Sequence, residues 1–211
     1  MMTMGLKSSA YWCSWFITSL FFIIFTNTIL VLAGDIMGME YFTDTDPGIT
    51  FVFFTIFSIC MQFVGYFLST VVATIKAGNS VTYLLFLLAM TIQVLLGTDL
   101  VTFFYIDSAE EWWGALLRWI FYFYPPFLLA KGFSDIAKKS GYAYDGKEFR
   151  WKLGPGYTYA DLWISNDGEN LAKLKYKSPS TAFIMGLMLL NCVVYGFLTW
   201  YFDHVNSSNR G

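Results

Sequence analysis

Four long apolar runs, each long enough to cross a lipid bilayer as a helix, dominate this sequence of 211 residues. A hydrocarbon core about 30 Å thick needs roughly 20 helical residues, because each residue rises about 1.5 Å. The runs show no alternation of apolar and polar residues, which favours helices over the strands of a membrane barrel. The predicted spans cover about residues 10–33, 49–75, 81–105 and 181–202.

Composition agrees with a membrane location. Hydrophobic residues make up 56% of the chain and charged residues 13%, whereas a soluble domain carries about 25% charged residues. A cytosolic enzyme, a disordered regulator and a secreted disulfide scaffold are therefore excluded. The net charge of −2 provides no basic field for a nucleic-acid partner. The predicted fold class is an all-α integral membrane protein that crosses the bilayer several times.

Metal and disulfide chemistry is not expected. The chain has one histidine, His204, and its three cysteines all lie in apolar runs, at Cys13, Cys60 and Cys192. A zinc site needs Cys or His ligands at close spacing, and a disulfide framework needs cysteines outside the membrane. We therefore predict neither a metal site nor a disulfide.

A fifth apolar stretch, about residues 112–137, is interrupted in its middle by Pro125-Pro126. Proline lacks the backbone N–H and clashes with the preceding turn, so a break or sharp kink is predicted there. Each arm would be about 18 Å long, roughly half of a membrane crossing. The stretch is either a re-entrant hairpin beside four full spans or a single kinked span, which would make five crossings.

The distribution of basic residues leaves this choice open. The linker over residues 34–48 has no Lys or Arg, while Lys7 and Lys76 flank the opposite side, which places the N-terminus in the cytoplasm. Residues 131–177 hold nine of the thirteen Lys and Arg, which favours the cytoplasm and five crossings. A re-entrant hairpin would instead make residues 138–178 a polar extracellular loop or small cap.

The sequence lacks the motifs of nucleotide and hydrolase chemistry. A phosphate-binding loop needs two glycines spaced before a Lys-Ser or Lys-Thr pair, and the Lys-Ser pairs here lack those glycines. H-E-x-x-H and G-x-S-x-G are also absent from the sequence. We therefore predict no catalytic residue, no bound cofactor and no enzymatic activity in this chain, so that any ATP would be hydrolysed elsewhere.

Polar residues inside the predicted spans are costly to place in lipid and are candidates for function. The neutral ones are expected to form hydrogen bonds between helices. Asp99, near the end of the third span, is either an interfacial carboxylate or a site for a coupling ion. The neutral residues are Asn27, Gln62, Gln93 and Asn191.

Two cations in the proline-broken stretch are candidate contacts for lipid headgroups. Arg118 lies in the first arm, and Lys131 lies in the second arm, four residues before Asp135. At headgroup depth both cations could bind lipid phosphates. The alternative is that they extend towards the interface and form a local ion pair. Trp112 and Trp113 are interpreted as anchors of the interfacial aromatic belt.

Three short runs near the ends of the predicted spans carry a family resemblance. They are Met4-Gly5-Leu6 with Tyr11-Trp12 and Ser14-Trp15-Phe16-Ile17-Thr18; Phe67-Leu68-Ser69-Thr70 with Lys76-Ala77; and Tyr195-Gly196 with Leu198-Thr199-Trp200-Tyr201-Phe202-Asp203-His204-Val205. In this order they resemble motifs of ABC transporters of subfamily A. The chain departs from that pattern after Val205, where the family's Phe-Pro is replaced by Asn206-Ser207.

The resemblance implies a partial ABC-2-type transmembrane domain over residues 1–205, equivalent to the third to sixth transmembrane helices of one half. It favours the re-entrant hairpin, because the family places one between the fifth and sixth helices. Residues 206–211 would lead towards a nucleotide-binding domain that this chain lacks. Family members move lipids or sterols, with ATP and Mg in that domain.

The partners that the resemblance implies are membrane lipid, the nucleotide-binding domain and a second transmembrane half, without nucleic acid. The alternative function is a free-standing multi-spanning scaffold or receptor-like protein without transport activity. Both functions share a multi-pass membrane location.

Overall fold

The computed structural model describes residues 8–72, 74–96, 112–145, 150–165, 168–169, 175–176 and 178–208. Helices dominate these ranges, and the bounds of the seven α-helices follow in chain order. They are α1 (Ser8–Ile36), α2 (Glu40–Thr43), α3 (Pro47–Val71), α4 (Ile75–Leu96), α5 (Trp112–Tyr122), α6 (Pro125–Ser140) and α7 (Thr181–Ser208).

Three helices within the described ranges are long and apolar enough to cross a membrane: Ala10–Ile36, Pro47–Val71 and Thr181–Val205. They correspond to the first, second and last predicted spans. The third predicted span falls on α4, which already begins at Ile75. Its predicted end, over residues 97–105, lies outside the described residues.

The predicted end of the second span, at residue 75, is wrong. α3 ends at Val71, and α4 begins only four residues later, at Ile75. The hydroxyl of Thr74 accepts a hydrogen bond from the backbone N–H of Ala77 at 3.3 Å. A threonine in this place satisfies a free donor at the start of a helix, so Thr74 starts a new helix at the end of the predicted second span.

α3 lies at the centre of the bundle and packs along both α7 and α1. The amide of Asn27 on α1 donates to the hydroxyls of Thr55 and Ser58 on α3, each at 3.3 Å. The buried thiols of Cys60 on α3 and Cys192 on α7 are close neighbours. Asn27 thus forms the kind of interhelical bond that its position in an apolar run predicts.

One end of the bundle brings together the start of α1 and the ends of α3 and α7. The indole N–H of Trp12 donates to Asp203 at 3.1 Å, and its ring packs edge-on against Tyr66. Phe67 on α3 contacts Phe202 on α7, with ring centroids 5.8 Å apart. α1 and α7 therefore have neighbouring ends on this side.

The opposite end is closed by a small cap that begins after α6. The cap contains the antiparallel pairs β1 (Tyr142–Asp145) with β2 (Arg150–Leu153) and β3 (Gly168–Glu169) with β4 (Lys175–Tyr176). One turn of 3-10 helix in the cap spans Asp161–Trp163. The predicted loop thus forms short strands, while the membrane-embedded part is helical.

Tyr157 joins the cap to the helices. Its backbone N–H donates to Asp44 at 2.9 Å, and its carbonyl accepts from Asp46 at 3.2 Å. Its hydroxyl donates to Thr181 at the start of α7, at 2.7 Å. The preceding residue, Gly156, has a φ of +85°, and a Cβ there would meet the Asp44 carbonyl at 2.8 Å. Glycine is therefore required where the cap approaches the linker between α1 and α3.

The hydrophobic core lies beneath the cap, between α3, α6 and α7. Gly132 on α6 allows the ring of Phe53 on α3 to lie directly against the α6 backbone. The other large, fully buried apolar residues around this contact are Ile49, Phe127, Leu128, Ile136, Ile184 and Met188. By contrast, α1 and α4 expose large apolar side chains such as Phe21 (68% exposed) and Leu84 (66% exposed), which is a surface suited to lipid.

Candidate functional site

The predicted break at Pro125-Pro126 is present. α5 ends at Tyr122, and α6 begins with the two prolines in its first turn, after Tyr124 in an extended conformation. Proline is well suited to the first turn of a helix, because the N–H that it lacks would have no partner within the helix there. The prolines therefore end one helix and begin the next.

The break removes the usual donors for two backbone carbonyls. In a continuous helix Tyr122 would accept from residue 126, which is a proline, and Phe123 would accept from Phe127. Phe127 instead donates to Tyr124 at 3.0 Å. Both carbonyls then need donors from outside the segment, since an unpaired backbone group in a membrane costs several kcal/mol.

α7 supplies both donors. The side-chain amide of Asn191 donates to the Tyr122 carbonyl at 2.8 Å, and the hydroxyl of Tyr195 donates to the Phe123 carbonyl at 2.7 Å. Asn191 and Tyr195 are four residues apart and so share one face of α7. We call these two bonds the carbonyl clamp.

A third bond ties the turn to α4. The hydroxyl of Tyr124 donates to the carbonyl of Leu85 at 2.7 Å. The rings of Phe121 and Phe127 stack across the break at 5.2 Å. The turn between α5 and α6 is thus held from two sides, by α4 and by α7.

α6 carries a buried ion pair. The ammonium of Lys131 bonds to a carboxylate oxygen of Asp135 one turn later, and both residues are only 1% exposed. Burying a charge is tolerable when an opposite charge and hydrogen bonds satisfy it. The predicted local ion pair is therefore present, but it lies in the interior.

The two candidate headgroup contacts differ in their surroundings. Arg118 is half-buried on α5. Lys131 does not present its ammonium at the surface, so a lipid contact from Lys131 would first require its pair with Asp135 to open. At the start of α5, Trp112 is 77% exposed and Trp113 is 37% exposed, and their role as aromatic anchors stays a prediction. The lipid contacts themselves stay predictions.

The other polar candidates fall in three groups. Asn27 and Asn191 make the interhelical bonds given above, and Gln62 is half-buried on α3. Asp99 and the side chain of Gln93 lie outside the described residues. Within the described part of the chain, no group of three His, Cys, Asp or Glu residues is placed to hold a metal ion.

A second ion pair joins α6 to the cap. The ammonium of Lys139 bonds to Asp161 at 2.7 Å, and the other carboxylate oxygen of Asp161 accepts two bonds from Thr158 at 3.0 Å. The hydrogen bond from Lys139, with those from Thr158, holds the pKa of Asp161 below its usual range. Burial raises the pKa of the neighbouring Tyr157 to about 12, so its hydroxyl stays protonated. The end of α6 and the cap are therefore one connected unit.

Sequence reasoning missed the roles of Tyr195, Tyr124 and Tyr157. A signal for Tyr195 existed, because two adjacent prolines leave carbonyls that require donors on a facing helix. The sequence contained no indication of which helix faces the break.

Comparison with known proteins identifies the family. The model for ABC-2 family transporter proteins matches residues 1–201. The chain belongs to the ABC-2 transporter family. As an ABC-2 membrane domain it is an integral, multi-pass membrane protein, and it is distinct from the nucleotide-binding domain of such transporters.

Relatives of this ABC-2 chain are named members of the A family of ABC transporters. Member 1 from Dictyostelium discoideum is 28% identical over 216 residues, covering 100% of this chain and 23% of that protein. Member 8 from the same organism is 24% identical over 196 residues, covering 92% of this chain and 22% of that protein. Member 9 from Arabidopsis thaliana is 30% identical over 94 residues, covering 44% and 10%. The chain thus spans less than a quarter of the length of these relatives.

Proposed function

We propose that this chain is the transmembrane portion of an ATP-driven transporter of ABC subfamily A, which moves a lipid or sterol across a membrane. The observation that carries this proposal is the similarity of the whole chain to one continuous part of a protein named as an ABC transporter. The partners are a nucleotide-binding domain, which holds ATP and Mg, and a second transmembrane half.

The proposed topology has four full spans and a re-entrant hairpin formed by α5 and α6. The Tyr122 carbonyl is bonded to Asn191, which lies about 15 Å along α7 from Thr181. That is half of a hydrocarbon core about 30 Å thick. From this depth α6 runs back to the cap, where Lys139 meets Asp161.

Contacts of the first arm support the same topology. Leu117 and Phe121 on α5 pack against the core that lies beneath the cap. An arm that continued straight through the bilayer would carry Leu117 away from that core. The linker between α1 and α3, the cap and the start of α7 would then all lie outside the cell.

The proposed substrate class follows from the exposed surface. α1 and α4 present long apolar side chains that suit acyl chains or a sterol ring system, while Arg118 and, after opening of its ion pair, Lys131 would contact the headgroup. The helices would form one wall of a cleft that opens sideways to lipid. ATP hydrolysis would change the packing between this wall and that of the second half.

Reconstitution tests the proposal. The transporter that contains this chain is purified into liposomes with fluorescent phospholipids or sterols, and movement between leaflets is measured with and without ATP. We expect ATP-dependent movement of at least one lipid class, and slower movement for Arg118→Gln than for the control Lys76→Gln, which changes an exposed lysine at the start of α4. ATP hydrolysis without movement of any tested lipid or sterol would contradict the proposal and favour a scaffold or receptor-like role.

A further inference from the structure

We infer that Asn191 and Tyr195 are positioning residues that couple displacement of α7 to the turn between α5 and α6. This inference rests on the proposed function, because it concerns how an ATP-driven rearrangement of spanning helices reaches that turn. The carbonyl clamp is the geometric basis: two bonds of 2.8 and 2.7 Å join α7 to consecutive carbonyls of the turn.

The clamp cannot be released at low cost. No water is present in the hydrocarbon region to replace a lost donor, so opening either bond leaves a carbonyl unsatisfied. The prolines exclude the alternative in which the segment reforms its own helical bond to Tyr122, because residue 126 has no N–H. The turn is therefore obliged to follow α7 whenever α7 shifts or rotates.

Further contacts extend this rigid connection towards the cap. The core residues Ile184 and Met188 on α7 pack beneath the cap together with Phe127 and Leu128, in the first turn of α6. Phe127 stacks on Phe121 of α5. A displacement of α7 is thereby transmitted to both arms of the hairpin and not only to its turn.

The C-terminal end of α7 contacts α1 and α3. Asp203 bonds to Trp12, and Phe202 packs on Phe67, close to the ends of α1 and α3. α7 therefore connects this end of the bundle with the turn between α5 and α6, which α7 contacts about halfway along its own length. A rearrangement at that end would change the depth or tilt of the hairpin, on which Arg118 and the pair of Lys131 with Asp135 are carried.

The test measures the number of lipids moved per ATP hydrolysed in the reconstituted transporter that contains this chain. Tyr195→Phe removes one oxygen and keeps the ring, while Asn191→Leu keeps the side-chain size and removes the donor. We expect the double variant to lose about fivefold or more in lipids moved per ATP, while ATP hydrolysis continues. A purely structural role would lower transport and hydrolysis together, through loss of folded protein, and would leave their ratio unchanged.

Two matched controls separate coupling from general packing. Tyr201→Phe removes a hydroxyl from an exposed position on the same helix, and Asn27→Leu removes an interhelical amide bond away from the turn. Both should retain the wild-type ratio.

Each outcome has a distinct meaning. A wild-type transporter that moves lipid, together with an unchanged ratio in the double variant, would overturn the coupling role and leave the proposed function intact. If the double variant does not fold, Tyr195→Phe alone decides, and an unchanged ratio in that variant overturns the inference. A wild-type transporter that moves no lipid contradicts the proposed function itself.

Discussion

The amide of Asn191 donates a hydrogen bond of 2.8 Å to the carbonyl of Tyr122, at the position where a proline has removed the normal helical donor. The bond connects residues that are 69 positions apart in the sequence. It explains how a pair of prolines is accommodated inside an apolar segment, since the broken backbone is satisfied by a side chain of a neighbouring helix.

The contact between Gly132 and Phe53 predicts a steric effect. A Cβ at residue 132 would meet the Phe53 ring at 2.5 Å, and Phe53 is fully buried, so the ring would have to shift within the core. Gly132→Ala should therefore lower the free energy of unfolding in detergent by about 1–3 kcal/mol. Gly186→Ala is the matched control, because a Cβ there meets nothing within 4 Å. Equal stability of the two variants would contradict the close packing of α3 on α6.

The buried pair of Lys131 with Asp135 predicts non-additive effects. Lys131→Met or Asp135→Asn alone leaves its partner without the opposite charge and should cost about 3–5 kcal/mol of unfolding free energy. The double variant should cost clearly less than the sum of the two single variants. Thermal or denaturant unfolding in detergent measures all three, and an additive result would show that the two side chains do not interact.

The ion pair between Lys139 and Asp161 predicts that the stability of the folded protein depends on pH in the acid range. Folding lowers the pKa of Asp161, so its contribution to stability is present above the ordinary aspartate pKa of about 3.9 and is lost as the pH falls through the lowered value. The contribution is about 1 kcal/mol or less, because the pair is partly solvated. Asp161→Asn should lower the melting temperature at pH 6, and the difference from wild type should shrink towards pH 3.

A matched control belongs to the acid experiment. Asp35→Asn changes an exposed carboxylate at the end of α1 and should leave the melting temperature at pH 6 unchanged. A difference between wild type and Asp161→Asn that persists at pH 3 would show that the aspartate acts through something other than its charge.

The neighbouring buried thiols of Cys60 on α3 and Cys192 on α7 predict a cross-link between these helices. A membrane-permeant copper–phenanthroline oxidant should join them within one chain, while the exposed Cys13 stays available. Labelling of the denatured, unreduced protein with a polyethylene-glycol maleimide should then add one polymer where the untreated protein adds three. Three additions after oxidation would contradict the packing of α3 on α7.

The sequence predicts the presence of the first, second and last spanning helices, because about 20 consecutive apolar residues are stable in a bilayer almost only as a helix. The predicted last span starts at residue 181, where α7 begins. The break at Pro125-Pro126 is equally local, since it follows from the chemistry of proline alone. By contrast, the start of α4 at Thr74 has no clear local signal, because Ile75 extends the apolar run and the polar stretch from Lys76 to Ser80 resembles a linker.

The contacts that define the site are long-range, and local patterns do not contain them. The spacing of Lys131 and Asp135 predicts an ion pair but not its burial, which depends on the packing of α6 against α3, α4 and α7. Tyr157 lies in a polar, glycine-rich segment that reads as a surface loop, yet it is 1% exposed between the linker and α7. The hydrogen bond from Tyr195 to the Phe123 carbonyl is also not predictable from local patterns, because the sequence does not show which helix faces the break at Pro125-Pro126.

Mapping of glycosylation tests the proposed hairpin most directly. Trp163 is 79% exposed in the cap, and Trp163→Asn turns the stretch Trp163-Ile164-Ser165 into an acceptor sequence. The native acceptor at Asn206-Ser207-Ser208 reports on the other end of α7 when a soluble tag extends the chain. Both proteins are expressed in a eukaryotic host and treated with an endoglycosidase. The re-entrant topology predicts a mobility shift for the Trp163→Asn variant and none at Asn206, whereas a shift at Asn206 and none in the cap would contradict it.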